Sequence, residues 1–299
     1  MAYALPSLDG RTALVTGANS GVGLAAATAL AAAGARVLMA CRNQAKAEAA
    51  AAQVRATATG PVEIVPLDLA SLASVAACAE EVGRRIDRLD LLLNNAGLMN
   101  VDEGRTEDGF EVHIGVNHLG HFALTARLLP LLHETPAARV VTMTSIAHRL
   151  GGIRVDDLHF ERRRYTRWGA YIQSKLANAL FALELHRRLE RAGAGTASLA
   201  AHPGLTRTNL GQEGSGLSNR LTAPAMLLTP PARHGAQPLL RAATDPGARS
   251  GELYGPALMA MGAPRIERPH RRARDPETAR RLWERSEELT GLTVPVAPA

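Results

Sequence analysis

The chain has 299 residues, of which 46% are hydrophobic and 21% charged, the balance of a globular protein large enough to bury a core without disulfides or metals. Two cysteines, Cys41 and Cys78, are too few for a disulfide scaffold and fit a reducing compartment. A formal charge of +6 and a pI of about 10.0 invite a nucleic-acid reading, but the excess sits in two arginine stretches, Arg162 to Arg167 and Arg265 to Arg274, without the interleaved aromatics that single-strand binding uses.

Neither a signal peptide in MAYALPSLDG nor a window of about 18 to 20 apolar residues is visible, so no membrane span and a cytoplasmic location are expected. The two arginine stretches read as solvated surface or as an anion-attracting rim.

Short apolar runs alternate with helical patterns along the chain. Ala13 to Thr16 leads to a helix over Ser20 to Ala33, and Arg36 to Ala40 to one over Gln44 to Ala56. Val62 to Asp68 precedes a helix near Ser71 to Arg85, and Asp90 to Gly97 one through Val116 to Leu132. Arg139 to Ser145 and a helix near Ala170 to Arg191 follow, and Ala197 to Gly204 supplies a sixth strand. Beyond it the sequence loosens into a Gly-, Pro- and Ser-rich stretch over 205–231, the expected substrate lid. A helix over 275–289 closes the chain, with Asp275 as N-cap and Pro276 at its first position.

Apolar strands separated by helices predict a parallel sheet covered on both faces. The fold class is therefore α/β: one doubly wound, Rossmann-like domain over 1–299, with about seven strands and a ligand crevice at their carboxyl ends.

The first strand ends in TGANSGVG, spaced G-x-x-x-G-x-G rather than G-x-G-x-x-G. Gly17 permits the tight turn, Gly21 lets backbone approach a pyrophosphate, and Gly23 lets helix and strand pack closely. Asn19, Ser20 and Val22 complete the loop, and the helix beginning near Ser20 offers free N–H groups to phosphate. The second strand runs out as Ala40-Cys41-Arg42-Asn43, with an arginine where NAD enzymes carry an acid. Arg42, with Lys46 one turn on, predicts recognition of a ribose 2′-phosphate and hence NADP(H).

YIQSK places Tyr171 and Lys175 on one helical face. A tyrosine loses its proton near pH 10, so acid/base work near neutrality requires a neighbouring cation such as this ammonium. TGANSGVG, NNAG over Asn94 to Gly97, VNHLGHF around Asn117, TS at Ser145, YIQSK and HPG over His202 to Gly204 together resemble the short-chain dehydrogenases in kind and order, over nearly the whole chain. ACRNQAKAE, VNHLGHF and the long segment between Ser145 and Tyr171 are most similar to the branch of retinol dehydrogenases, WW-domain oxidoreductase and protochlorophyllide reductases.

That resemblance implies Tyr171 as general acid/base, Ser145 polarising the substrate oxygen, Lys175 holding the nicotinamide ribose, and Asn117 holding a relay water. It implies cofactor contacts from Asp68, Leu69, Asn94, Asn95, Ala96 and Gly97, and from Pro203, Gly204, Thr206 and Thr208 beside the nicotinamide. The implied activity is interconversion of a carbonyl and an alcohol on a lipophilic small molecule. No cysteine follows position 78, which argues against the light-driven reductase reaction.

His118 and His121 have no third ligand at metal-binding spacing, so helix packing or a polar contact is expected and no metal. A non-catalytic NADP(H) sensor and a C=C reductase stay open as alternatives, as does homo-oligomer formation. No nucleic-acid partner is expected.

Overall fold

The computed structural model describes residues 3–205, 230–258 and 261–297. Alternation along the strands explains the architecture. In β1 (Thr12–Thr16), Ala13 and Val15 enter one core while Leu14 enters the other. In β2 (Arg36–Cys41), Val37, Met39 and Cys41 divide from Leu38 and Ala40 in the same way. Strands with two apolar faces need helices on both sides of the sheet.

The helices α1 (Gly21–Ala32) and α2 (Gln44–Arg55) cover one face. After β3 (Val62–Pro66), α3 (Leu72–Arg85) covers the other, and β4 (Leu91–Asn94) follows. A short turn, α4 (Val112–Ile114), runs through a π-helical turn at Gly115–Leu119 into α5 (Gly120–Glu134). Then come β5 (Arg139–Met143), α6 (Arg167–Arg191) and β6 (Ala197–Ala201). Last are α7 (Ala232–Thr244), β7 (Leu253–Pro256), β8 (Pro264–Glu267) and α8 (Pro276–Thr290).

The strands form one sheet in the order β3-β2-β1-β4-β5-β6-β7-β8. Every neighbour pair from β3 to β7 is parallel, and β8 alone runs antiparallel, on β7. The fold is thus the expected Rossmann-like α/β domain with one further edge strand. The order reverses between β1 and β4, which places the ligand crevice there.

Four predicted strands overrun the observed ones, the one over Val62 to Asp68 by Leu67 and Asp68. Asn95 to Gly97, Thr144 and Ser145, and His202 to Gly204 leave the sheet at its carboxyl edge and become the loops of the crevice. The helix predicted over Val116 to Leu132 is interrupted by the π turn, which contains Asn117. At α8, Asp275 accepts from the Glu277 N–H, Pro276 opens the helix, and Gly291 closes it at φ +65°. Trp283 of α8 packs between Phe122 and Phe181 with ring centroids 5.3 and 5.8 Å away. Cys41 and Cys78 are free and buried, and burial pushes their thiols up to about 11 and about 12. Most of the expected lid, with Thr206 and Thr208, lies outside the described residues.

Candidate active site

A cleft of about 250 Å³ opens over the reversal between β1 and β4. Gly17, Asn19, Ser20, Gly21, Val22 and Gly23 form its floor, and Arg42 with Lys46 form one end. Asp68, Leu69, Asn95, Ala96 and Gly97 form the opposite wall. Gly17 and Gly21 have φ +65° and +53°, the left-handed region a side chain disfavours. A Cβ on Gly23 would stand 2.3 Å from the Gly17 carbonyl oxygen, so helix and loop can approach only with glycine there.

Ser20 makes no side-chain cap on α1, and the first turn of that helix holds no acid. Its N–H groups therefore face the cleft with the positive end of the helix dipole, which suits a pyrophosphate. Asn43 caps α2 by accepting from the Lys46 N–H at 2.9 Å. Arg42 and Lys46 are thus carried at the cleft end on a capped helix start. Asp68 is the one carboxylate among the described residues lining the cleft; its Oδ1 accepts from the Ala70 N–H. The donor set fits a dinucleotide.

The NNAG turn is tied to β1. Asn95 N–H and Ala96 N–H donate to Thr16 Oγ1 at 2.9 and 3.0 Å, and Asn95 Nδ2 donates to the Thr16 carbonyl at 2.8 Å. Asn94 is fully buried beneath the turn and donates to Thr125 Oγ1, so it supports the wall without lining the cleft.

Beyond Gly97 stand Ser145, Tyr171, Lys175 and Asn117. Tyr171 is buried, and its phenol is pushed above its ordinary pKa by that burial, with a hydrogen bond to Ser145 opposing the shift. Lys175 Nζ lies 6.0 Å from the Tyr171 ring centre and 3.4 Å from the Met143 carbonyl. Burial lowers its ammonium to about 8. A Cβ on Gly97 would stand 3.2 Å from Lys175 Nζ and 3.0 Å from Asn117 Oδ1, so the turn, the lysine and the asparagine meet at one point.

Asn117 is completely buried and clamps Leu98 in both directions. Its Oδ1 accepts from the Leu98 N–H at 2.7 Å, and its Nδ2 donates to the Leu98 carbonyl at 3.0 Å. The same Nδ2 donates to Ser174 Oγ, which donates to the Tyr171 carbonyl. Below α6, Thr144 Oγ1 donates to the Lys175 carbonyl at 2.7 Å and Asn178 Nδ2 to that of Met143.

Two buried acids outside the predicted set hold the surrounding loops. Glu111 accepts from the N–H groups of His113 and Ile114 and pairs with His113 Nδ1 at 2.9 Å. The His113 ring packs edge-on to Tyr171 with centroids 6.4 Å apart. Glu267 of β8 lies 2.5 Å from Arg149 and 3.3 Å from His202 Nε2. His202 Nδ1 accepts from the Gly204 N–H, so Nε2 carries the proton and donates to Glu267. Glu267 thus joins the loop after Ser145 to the one carrying Pro203 and Gly204, neither of which lines the dinucleotide cleft.

His118 and His121 bond to different partners. His118 Nε2 lies 2.8 Å from Ser286 Oγ, whose own proton goes to the Leu282 carbonyl, and His121 bonds within the π-turn region. Among the described residues no three His, Cys, Asp or Glu side chains converge as a metal set would. Trp168, set edge-on to Tyr171 at 5.8 Å and half-exposed, was not singled out from the sequence, although its place three residues before Tyr171 on one helix was legible. Glu267 had no local signal, being 65 residues from His202.

Comparison with known proteins identifies the family. The short chain dehydrogenase family model matches residues 11–215. Retinol dehydrogenase 13 of Homo sapiens is 41% identical over 297 residues, covering 97% of this chain and 87% of its own. An uncharacterized protein from Mycobacterium Paratuberculosis has a crystal structure with a TM-score of 0.83 at 42% identity, covering 99% of this chain and 100% of that one. The Pseudomonas aeruginosa RhlG/NADP active-site complex is more distant, at 26% identity and a TM-score of 0.65 over 83% of this chain and 94% of its own. The chain therefore belongs to the short-chain dehydrogenase family of oxidoreductases, on its retinol dehydrogenase branch.

Proposed function

We propose that this protein is an NADP(H)-dependent oxidoreductase interconverting an aldehyde or ketone and the corresponding alcohol on a lipophilic small molecule. The observation that carries the cofactor reading is the pair Arg42 and Lys46 at the cleft end, where β2 finishes without a carboxylate. Charge-assisted hydrogen bonds contribute about 1.5–3 kcal/mol each, enough for about 10- to 100-fold preference for a 2′-phosphate. The NADP bound in the RhlG complex supports the same reading. The substrate class is supported by Trp168 beside Tyr171 and by the names of the retinol dehydrogenase relatives.

When bound, the cofactor would supply or accept the hydride. The chain's own residues account for the proton. Tyr171 would donate its phenolic proton to the substrate oxygen in reduction and remove it in oxidation. Ser145, already bonded to Tyr171, would hold that oxygen in line. Burial alone raises the Tyr171 phenol, so a phenolate near neutrality requires positive charge close by. Lys175 is placed to supply it and to bind ribose hydroxyls through Nζ.

The test is a screen of aldehydes, ketones and alcohols followed by NADPH and NADH absorbance. Turnover of apolar carbonyls with NADPH preferred is expected. Failure to bind NADPH more tightly than NADH, or turnover of activated C=C bonds alone, would overturn the reading.

A further inference from the structure

Among the described residues, six large apolar side chains stay exposed: Leu150, Trp168, Leu205, Leu258, Met261 and Ile266. All six lie toward one end of the fold. Leu150 follows the turn after Ser145, Trp168 sits beside Tyr171, and Leu205 follows Gly204. Leu258 and Met261 belong to the turn beyond the carboxyl end of β7, closed by a Leu258 N–H bond to the Met261 carbonyl. Ile266 pairs with Tyr254 across β7 and β8. Because β7 is parallel to β6, its carboxyl end is the end at which the active-site loops emerge.

The segment bordering these side chains is strongly basic. Arg265, Arg268, Arg271, Arg272 and Arg274 are exposed, and none makes an ion pair with a described carboxylate. Glu267, the acid among them, is buried and already engaged by Arg149 and His202. Arg272 donates to the carbonyls of Arg149 and Gly151, which places this arginine segment directly against Leu150. Leu150 is 74% exposed and Leu258 72%, so neither is an incompletely covered core residue.

We propose that this end of the molecule docks on an anionic phospholipid surface. Leu150, Leu258 and Met261 enter the interface, and the arginines of 265–274 meet the headgroups. A polynucleotide would satisfy the arginines and leave the apolar side chains in water; a bilayer interface satisfies both. The proposal deepens the reading of a lipophilic substrate, which would then reach Tyr171 from the bilayer, and rests on that reading for the route alone. Docking of this kind requires no spanning helix, and no helix among the described residues is long and apolar enough to cross a membrane.

The test is co-sedimentation of the full chain with vesicles of phosphatidylcholine alone or mixed with phosphatidylglycerol. Binding to the mixed vesicles, weakening as salt rises, is expected. Each arginine near an anionic surface strengthens binding about fivefold, so Arg268→Gln with Arg271→Gln should lose about 25-fold. Leu258→Ser with Met261→Ser should lose about tenfold or more. Unchanged melting temperature and NADPH affinity would show that both variants are folded. Equal binding to neutral vesicles, undiminished binding by either variant, or retention on polynucleotide without vesicle binding would overturn the proposal. Vesicle binding is read without turnover, so absence of carbonyl reduction would overturn the functional reading and leave this one standing.

Discussion

The His121 ring lies 3.0 Å from the Asn117 carbonyl oxygen through Nδ1 and 2.9 Å from Thr16 Oγ1 through Nε2. The carbonyl can only accept, so Nδ1 carries the proton and Nε2 accepts from the threonine hydroxyl. The neutral ring is the form that completes both bonds. Burial lowers it to about 4, and His118 and His148, also buried, to about 3 and about 4. One neutral imidazole thus joins the π turn to the glycine loop and the NNAG turn.

Acid should therefore unfold the protein from within. These histidines have folded pKa values below the 6.5 of the free ring. Their contribution is complete above 6.5 and is lost as pH falls toward 3 to 4. Each adds up to about 1.4 kcal/mol per pH unit to the slope. His118→Gln should flatten that slope by one proton in denaturant titrations across the window; an unchanged slope would refute the assignment.

Tyr171→Phe keeps the ring contacts with His113 and Trp168 but removes the group that exchanges the proton. Turnover should fall by about 10²–10⁴-fold, the usual contribution of general acid/base catalysis. NADPH affinity, measured by fluorescence titration, should stay near the parent value. Near-normal turnover would remove Tyr171 from the mechanism.

Arg42→Ala should weaken NADPH by about 10- to 100-fold and NADH little. Isothermal titration with both cofactors separates the outcomes. Equal losses would mean that Arg42 does not read the 2′-phosphate.

Lys175 should carry a stability cost. Its pKa falls from 10.5 to about 8 through burial, so the folded state disfavours the charged amine. Lys175→Met should stabilise the cofactor-free protein by an amount on the order of 3 kcal/mol below pH 8. The gain should shrink between pH 8 and 10.5 and vanish above it, because the amine is then neutral in both states. Cofactor affinity and turnover should both drop. Denaturant unfolding at neutral and high pH provides the check, and a destabilised variant at neutral pH would contradict the argument.

The nucleotide half of the crevice was legible because its residues are close in sequence and chemically restricted. Gly17, Gly21 and Gly23 are demanded by backbone geometry, and Arg42 directly follows a strand. The π turn at Asn117 was not legible, since VNHLGHF has the apolar spacing of an uninterrupted helix. The chain between Pro231 and Glu267 yielded no placed elements. Pro238 lies inside α7, and β7 and β8 are four-residue strands containing proline. Their identity comes from packing against α1 and β6, which no local pattern records.

The position of Glu267 also bears on the order in which the parts can form during synthesis. The glycine loop, Arg42, Asp68 and the NNAG turn come from β1 to β4 and can close through neighbouring strands. The bridge that Glu267 makes between the loops after Ser145 and His202 forms when a side chain 118 residues beyond Arg149 arrives. The π-turn helix similarly waits for Ser286, 168 residues beyond His118. A nascent chain could thus acquire its nucleotide cradle well before its substrate half is tied together, so the two ends of one crevice mature at different times.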